Sequence, residues 1–365
     1  MHDMSFHGMP GGCYNGAMQN VAIEGFGFMG RIHAACWRRL KGIRIAAVCV
    51  RDPSRLVLPV KAYGCVGGDV AAELPPDVKV YTDAAKTLAE VRPDIVDVTL
   101  PTALHLSAVE QALAAGAHVL CEKPLALDAA QARAVLRAAG RAKGRFMVAQ
   151  CLRFAPEYAC LKQVIASGKY GAVVAASFNR LTPPPRAPKG ASWFRDEAIS
   201  GGLALDLNIH DADVVNWLFG LPGAVTARGH RRADGLMDHL VVDYAYPDKV
   251  VTAEASWAAT ESFGFTFGFT VFFERATVVY NPRAVQPFLV SPAKGKPFTP
   301  KFRRPDSYQN QIDFFWRLVQ GKVSEKDSPA PTEEICDSIA LVDAERKSAA
   351  TGRSVKCVKV KGVHG

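Results

Sequence analysis

Val21-Ala22-Ile23-Glu24-Gly25-Phe26-Gly27-Phe28-Met29-Gly30-Arg31-Ile32-His33 is the stretch on which the fold turns. Val21 to Glu24 reads as a short strand, and Ile32, Ala35, Cys36 and Leu40 recur at helical spacing after it. Between them Gly25, Gly27 and Gly30 form a GxGxxG loop. In that pattern the first glycine permits a tight turn, the second lets backbone approach a pyrophosphate, and the third packs helix on strand. The helix start adds free amides and a dipole that favour phosphate. Alone the motif is weak, but the strand–loop–helix setting makes Gly25, Phe26, Gly27, Phe28, Met29 and Gly30 candidate dinucleotide-binding residues.

Working outward, strand and helix signals alternate. Apolar runs at Ile43–Val50, Val78–Tyr81, Asp94–Leu100, His118–Glu122 and Phe146–Gln150 are separated by helical patterns at 84–91, 105–115 and, capped by Asp128 with Gln131, up to about residue 142. The rhythm predicts a doubly wound parallel sheet with helices on both faces. After about Gln150 the grammar changes. Helices are expected at 156–167 and 206–219, then strands at 172–179, 224–230, 239–246, 250–257, 263–273 and 276–280. Phe263, Phe265, Phe267, Phe269 and Val271 alternate with Gly264, Thr266, Gly268 and Thr270, which gives one bulky and one flat face. Helices at 307–319 and 332–351 close the chain. The expectation is a disordered N-terminal extension over 1–19, an NAD(P)-binding Rossmann domain over 20–150, and an α+β domain over 151–365 with a large, open, mostly antiparallel sheet.

Composition narrows the classes. At 365 residues with 49% hydrophobic and 22% charged content, the chain buries sizeable cores and is not disordered. No apolar run approaches the roughly 20 residues that span a bilayer. The first 19 residues lack the grammar of a signal peptide. Nine cysteines without a CxxC pair fit a reducing cytoplasm rather than a disulfide framework. The net charge of +9 comes from dispersed Lys and Arg. The clusters Arg38–Arg39–Lys41 and Lys301–Arg303–Arg304 match no nucleic-acid reader, so neither nucleic acid nor membrane is an expected partner.

Three further places carry chemistry. The second strand ends Cys49-Val50-Arg51-Asp52, where the acid that grips ribose hydroxyls is usual; Arg51 suits a 2′-phosphate and favours NADP over NAD, with Asp52 as the alternative ribose ligand. Glu122-Lys123-Pro124 follows a strand at the carboxyl edge of the sheet, where Lys123 can stabilise charge developing on an oxygen. Asp206 and His210 lie four apart, on one helical face. His210 can take a hydroxyl proton while Asp206 orients or steadies it. Asp211 points elsewhere, and Asp213 could support His210. A metal is not expected, because no second His or Cys completes a zinc set.

Together these residues resemble the Gfo/Idh/MocA oxidoreductase family, which includes inositol, glucose and other sugar or polyol dehydrogenases. The likeness runs from about Asn20 to Val355. It rests on the glycine loop with His33, on Pro101-Thr102-Ala103-Leu104-His105, on Cys121-Glu122-Lys123-Pro124-Leu125, and on Arg153-Phe154, Trp193, Ser200-Gly201-Gly202 and Asp206…His210-Asp211. Tyr308-Gln309-Asn310-Gln311-Ile312 and Ser348-Ala349-Ala350-Thr351-Gly352 complete the order. The resemblance implies Lys123, Asp206 and His210 as the catalytic set. It places backbone near Pro101, the Glu122 side chain and the Gln150 amide at the nicotinamide end, adds His105 and Lys123 to the cofactor-binding residues, and puts Arg153, Trp193 and Arg195 at the substrate. It also implies a cis Lys123–Pro124 peptide and a homodimer or homotetramer formed through the second-domain sheet. The expected activity is hydride transfer between nicotinamide and a CH–OH or C=O group of a sugar-like or polyol-like substrate. The alternatives are a non-catalytic sensor or scaffold and NAD-assisted lyase or glycosidase chemistry. Glu24 departs from the family, where an aliphatic residue is usual, and a carboxylate buried there unpaired would be costly.

Overall fold

The computed structural model describes residues 17–57, 74–185, 196–302 and 306–360. The expected N-terminal extension falls mostly outside them. The chain divides into two compact units, one formed by residues 17–151 with Asp306–Cys336, the other by residues 152–302 with Asp337–Val360. The two consecutive blocks expected from the sequence are thus interleaved, because a late segment returns to the first unit. Hydrophobic periodicity reports a buried helix face without reporting which core buries it.

The first unit holds six parallel strands in the order β3-β2-β1-β4-β5-β6. They are β1 (Gln19–Glu24), β2 (Ile43–Cys49), β3 (Lys79–Tyr81), β4 (Ile95–Val98), β5 (His118–Glu122) and β6 (Phe146–Ala149). The order reverses between β1 and β4, the switch point at which such sheets bind ligands. Helices α1 (Phe28–Trp37), α2 (Ala84–Val91), α3 (His105–Ala114) and α4 (Ala129–Arg141) make the crossovers. Asp83 and Asp128 cap α2 and α4 by accepting from the amides of Lys86 and Gln131, each at 2.8 Å. Every residue of β4 and β6 is buried, as expected of parallel strands covered on both faces.

The second unit begins with α5 (Pro156–Ala166) and β7 (Val173–Leu181), followed by the short α6 (Glu197–Ser200), a π-helical turn (Ala204–Asn208) and α7 (Ile209–Phe219). Its sheet adds β8 (Ala224–Arg231), β9 (Met237–Ala245), β10 (Val250–Ser256), β11 (Thr266–Phe273), β12 (Ala276–Tyr280) and β13 (Phe288–Pro292). The returning α8 (Ser307–Val319) joins the first unit, and α9 (Thr332–Thr351) and β14 (Val355–Lys356) end the described chain. The eight strands run β13-β12-β11-β7-β10-β9-β8-β14, antiparallel except for the β7–β10 pair. The phenylalanine alternation holds only from residue 266. Phe267, Phe269 and Phe273 are buried with Val271, whereas Phe263 lies outside the strand and is part-exposed. Phe269 anchors an aromatic cluster with Tyr158, Phe178, Tyr280 and Phe288, its centroid distances running from 5.2 to 6.2 Å. On the opposite face Phe272, Ala175, Val250, Ala245 and Ala224 align in one outward row across five strands.

Candidate functional site

The glycine loop has the geometry its residues imply. Gly25 adopts φ 88°, and a Cβ there would come within 2.6 Å of the Thr99 carbonyl. Gly30 packs so closely that a Cβ would strike the Gly25 carbonyl, while the Cβ position of exposed Gly27 faces open space. Thr99 Oγ1 donates to the Gly25 carbonyl at 2.6 Å and ties the loop to the end of β4. Gly27 caps α1 without any side-chain hydrogen bond, so the first helical amides are left for a phosphate. These residues fit a dinucleotide. At the end of β6, Gln150 is buried with its Nε2 unpartnered, and a buried orphan donor of this kind calls for an acceptor.

Beyond β2, Arg51 is exposed. Asp52, the alternative ribose ligand, accepts from the Ser54 amide at 3.1 Å and from its hydroxyl at 2.6 Å. Arg31 packs its guanidinium 5.4 Å from the Phe26 ring centroid and donates to the Leu56 carbonyl at 3.0 Å. Glu24 is 2% exposed, its Oε2 has no partner, and burial pushes its pKa up to about 7.

From Val119 to Ala126 only Lys123 is not buried. Its peptide to Pro124 is cis. The Lys123 amide donates to Glu122 Oε2 at 3.0 Å, and Glu122 Oε1 lies 3.1 Å from His33 Nε2. The carboxyl expected along the cofactor is therefore engaged within the protein. His105 is likewise repositioned. It is 1% exposed, with ring nitrogens 2.8 Å from the Pro124 carbonyl and 2.7 Å from that of Leu100. It braces the loop instead of lining a ligand, and burial lowers its pKa. Pro101 stands half-buried at the start of the 3-10 turn Thr102–Leu104.

In the second unit, between Gly201 and Trp217 only Asp206 and His210 are not buried. The expected single helix over 206–219 is in fact a π-turn carrying Asp206 joined to α7 carrying His210. Such turns recur at functional sites because the wider i→i+5 spacing re-aims side chains. Asn208 within the turn donates to Glu345 Oε2 at 2.8 Å, and Tyr244 donates to Glu345 Oε1 at 2.8 Å. Burial pushes this carboxyl up to about 8. Asp211 pairs with Arg180 at 2.9 and 3.2 Å. Asp213, expected behind His210, instead accepts from Arg153 Nε and Nη2, each at 2.8 Å, and from the Ser338 hydroxyl at 2.7 Å. Arg153 is 1% exposed, so the expected substrate contact gives way to an internal ion pair. Trp193 and Arg195 lie outside the described residues.

Sequence reasoning missed Asp97, Arg180 and Glu345, and it met Gln311 only as part of a motif, without a role. Asp97 had a signal: a charge inside the apolar run Ile95-Val96-Asp97-Val98 demands a partner. Among the described residues no cluster of His, Cys, Asp and Glu could hold a metal, and no helix is long and apolar enough to cross a membrane.

A model of the oxidoreductase family with an NAD-binding Rossmann fold matches residues 19–150, and a model of the GFO/IDH/MocA C-terminal domain matches residues 158–279. The chain is 28% identical over 351 residues to an inositol 2-dehydrogenase of Rhizobium meliloti, covering 91% of this chain and 97% of that protein. It is 36% identical over 171 residues to a trans-1,2-dihydrobenzene-1,2-diol dehydrogenase of Macaca fascicularis, 43% of this chain and 49% of the relative. Levoglucosan dehydrogenase, solved with NADH and levoglucosan, shares the fold at TM-score 0.76 and 20% identity over 93% of this chain and 99% of that one.

Proposed function

The chain belongs to the Gfo/Idh/MocA family of NAD-binding oxidoreductases, and we propose that it oxidises a secondary alcohol of a sugar, polyol or related cyclic substrate, or reduces the matching carbonyl. One observation carries this reading: in two otherwise buried runs, the only side chains left accessible are Lys123 in one and Asp206 with His210 in the other. The names of the relatives, which act on inositol and on a dihydrodiol, support the substrate class.

In oxidation, neutral His210 takes the hydroxyl proton, Asp206 steadies the imidazolium, and the Lys123 ammonium donates to the substrate oxygen as the carbonyl forms. A bound nicotinamide would supply the hydride acceptor or donor for this step. Gly25 to Gly30 and the first amides of α1 would hold the pyrophosphate, and Gln150 supplies a free donor nearer the other end. NADP is the favoured form, since Arg51 is exposed while Asp52 is occupied by Ser54. A guanidinium–phosphate contact is worth about 1.5–3 kcal/mol, roughly 10- to 150-fold in affinity. Arg51→Ala should weaken NADP by that factor and leave NAD little changed. A parent that binds NAD more tightly, together with equal effects of Arg51→Ala on both cofactors in a binding titration, would make Arg51 a solvated surface residue and overturn the NADP preference.

The outward row through Phe272 and Val250 supports assembly as a homodimer or homotetramer, which the solution mass checks. The free thiols among the described cysteines support a reducing, cytoplasmic location. The deciding experiment is a panel of sugars, polyols and dihydrodiols with NAD and NADP, followed at the reduced-nicotinamide absorbance. Reduction by a polyol that is lost in His210→Ala is the expected result. Cofactor binding without any net reduction would favour a sensor, and substrate conversion without net reduction would favour lyase-type chemistry.

A further inference from the structure

Behind Lys123 lies a buried ion cluster that the proposed chemistry does not use. His33, on α1 and 0% exposed, has Nδ1 3.0 Å from both oxygens of Asp97 and Nε2 3.1 Å from Glu122 Oε1. Trp37 Nε1 also donates to Asp97, at 2.7 Å. An ionised carboxylate only accepts, so a ring facing carboxylates from both nitrogens must donate from both. Gln311 accommodates the same state. Its Nε2 lies 3.3 Å from His33 Nε2 while its Oε1 has no partner. Turning the amide over, which hardly changes its shape, sets the oxygen against a protonated Nε2. Burial by itself would lower the basicity of His33. Asp97 and Glu122 outweigh it and raise the pKa to about 10.

We infer that His33, held as an imidazolium between Asp97 and Glu122, is a positioning residue that fixes Glu122 and, through it, the backbone amide of Lys123. The linkage is short: His33 Nε2 to Glu122 Oε1, and Glu122 Oε2 to the Lys123 amide at 3.0 Å. A neutral imidazole has one proton to share between two carboxylates. One contact then becomes repulsive, and Glu122 is released to turn. The inference rests on the proposed role of Lys123, because only then does the direction of that side chain bear on rate.

The first test is nitrogen NMR of the full-length protein with labelled histidine, the His33 signals being identified by their loss in His33→Gln. Both ring nitrogens should report imidazolium from pH 6 to pH 9; a neutral ring there overturns the clamp. The second is kinetic, with the best polyol of the panel. His33→Gln should lower kcat by about 100-fold, the scale of a misplaced reacting group, while KM and the Kd for NAD, read by fluorescence, stay near parental values. If that variant does not fold, Asp97→Asn replaces it. Losing one carboxylate lowers the His33 pKa, so the variant should acquire an alkaline loss of kcat that tracks the NMR titration of His33. A kcat indifferent to that titration overturns the positioning role. Lys123→Ala in the same assay separates the two levels. If it keeps turnover, the reading of Lys123 fails and takes this inference with it. If it loses turnover while His33→Gln does not, only the inference fails.

Discussion

Residues 119–126 and residues 201–217 face the same problem and solve it differently. Each holds accessible polar side chains in an otherwise buried run. Around Lys123 the support is a pair of histidines: His33 reaches the loop through a carboxylate, and His105 reaches it through the Pro124 carbonyl while its other ring nitrogen faces that of Leu100. Their surroundings push the two pKa values in opposite directions, up for His33 and down for His105. Around His210 the support is a π-turn and two Arg–Asp pairs, with no imidazole involved. The first arrangement holds a loop by proton-bearing rings whose state depends on their neighbours. The second holds a helix start by guanidinium forks that stay charged at any working pH. The difference teaches that a lysine on a loop needs its backbone held, whereas a histidine on a helix needs the helix held.

The largest effect expected falls on the accessible residues themselves. His210→Ala and Lys123→Ala should each lower turnover by about 10²–10⁴-fold, the usual worth of general acid–base help, with cofactor affinity retained. Near-normal turnover in the His210 variant would remove one side of the comparison and leave the proton to Lys123 or water. Next comes the support of the second run. Arg153→Met strands the buried Asp213 carboxylate, and breaking a pair of this kind costs about 3–5 kcal/mol. Denaturant unfolding measures it; a loss below about 1 kcal/mol would mean that the pair behaves like a surface contact.

The smallest effect sharpens the contrast, because Glu24 is a buried carboxyl with neither kind of support. Its pKa is raised from 4.5 to about 7, so the folded state holds the proton more tightly than the unfolded chain does. The resulting stability is fully present below about pH 4.5 and is lost as pH rises through about 7. Integrated over that shift, the loss is at most about 3 kcal/mol. Glu24→Gln should therefore exceed the parent in stability above pH 7 and lose that advantage near pH 4. Parallel stability curves across that range would show that the carboxyl finds a partner.

Much of this was legible because local chemistry wrote it. The glycine loop, the caps at Asp83 and Asp128 and the apolar strands each satisfy a requirement met by neighbours in sequence. Other features answer to distant residues. His33 and Asp97 are 64 positions apart, and Arg153 meets Asp213 across 60, so neither pairing leaves a mark in spacing. The π-turn at Asp206 has the same i,i+4 residue pattern as an α-helix, and spacing does not distinguish them. The strand Phe288–Pro292 was overlooked because Pro287 and Pro292 bracket its apolar residues, and prolines read as breaks in a strand pattern.

The return of α8 to the first unit has a consequence for biosynthesis. Trp37, fully buried, packs edge-on against Phe315 at 6.4 Å, and Gln311 reaches His33 across 278 positions. Both partners leave the ribosome long after residue 151. At about 5–20 residues per second the intervening chain takes on the order of ten to thirty seconds to emerge. During that interval the nascent dinucleotide-binding unit exposes a tryptophan face, a natural target for a chaperone. A fragment ending at residue 151 should keep that face uncovered and self-associate, and supplying α8 in trans should restore its solubility.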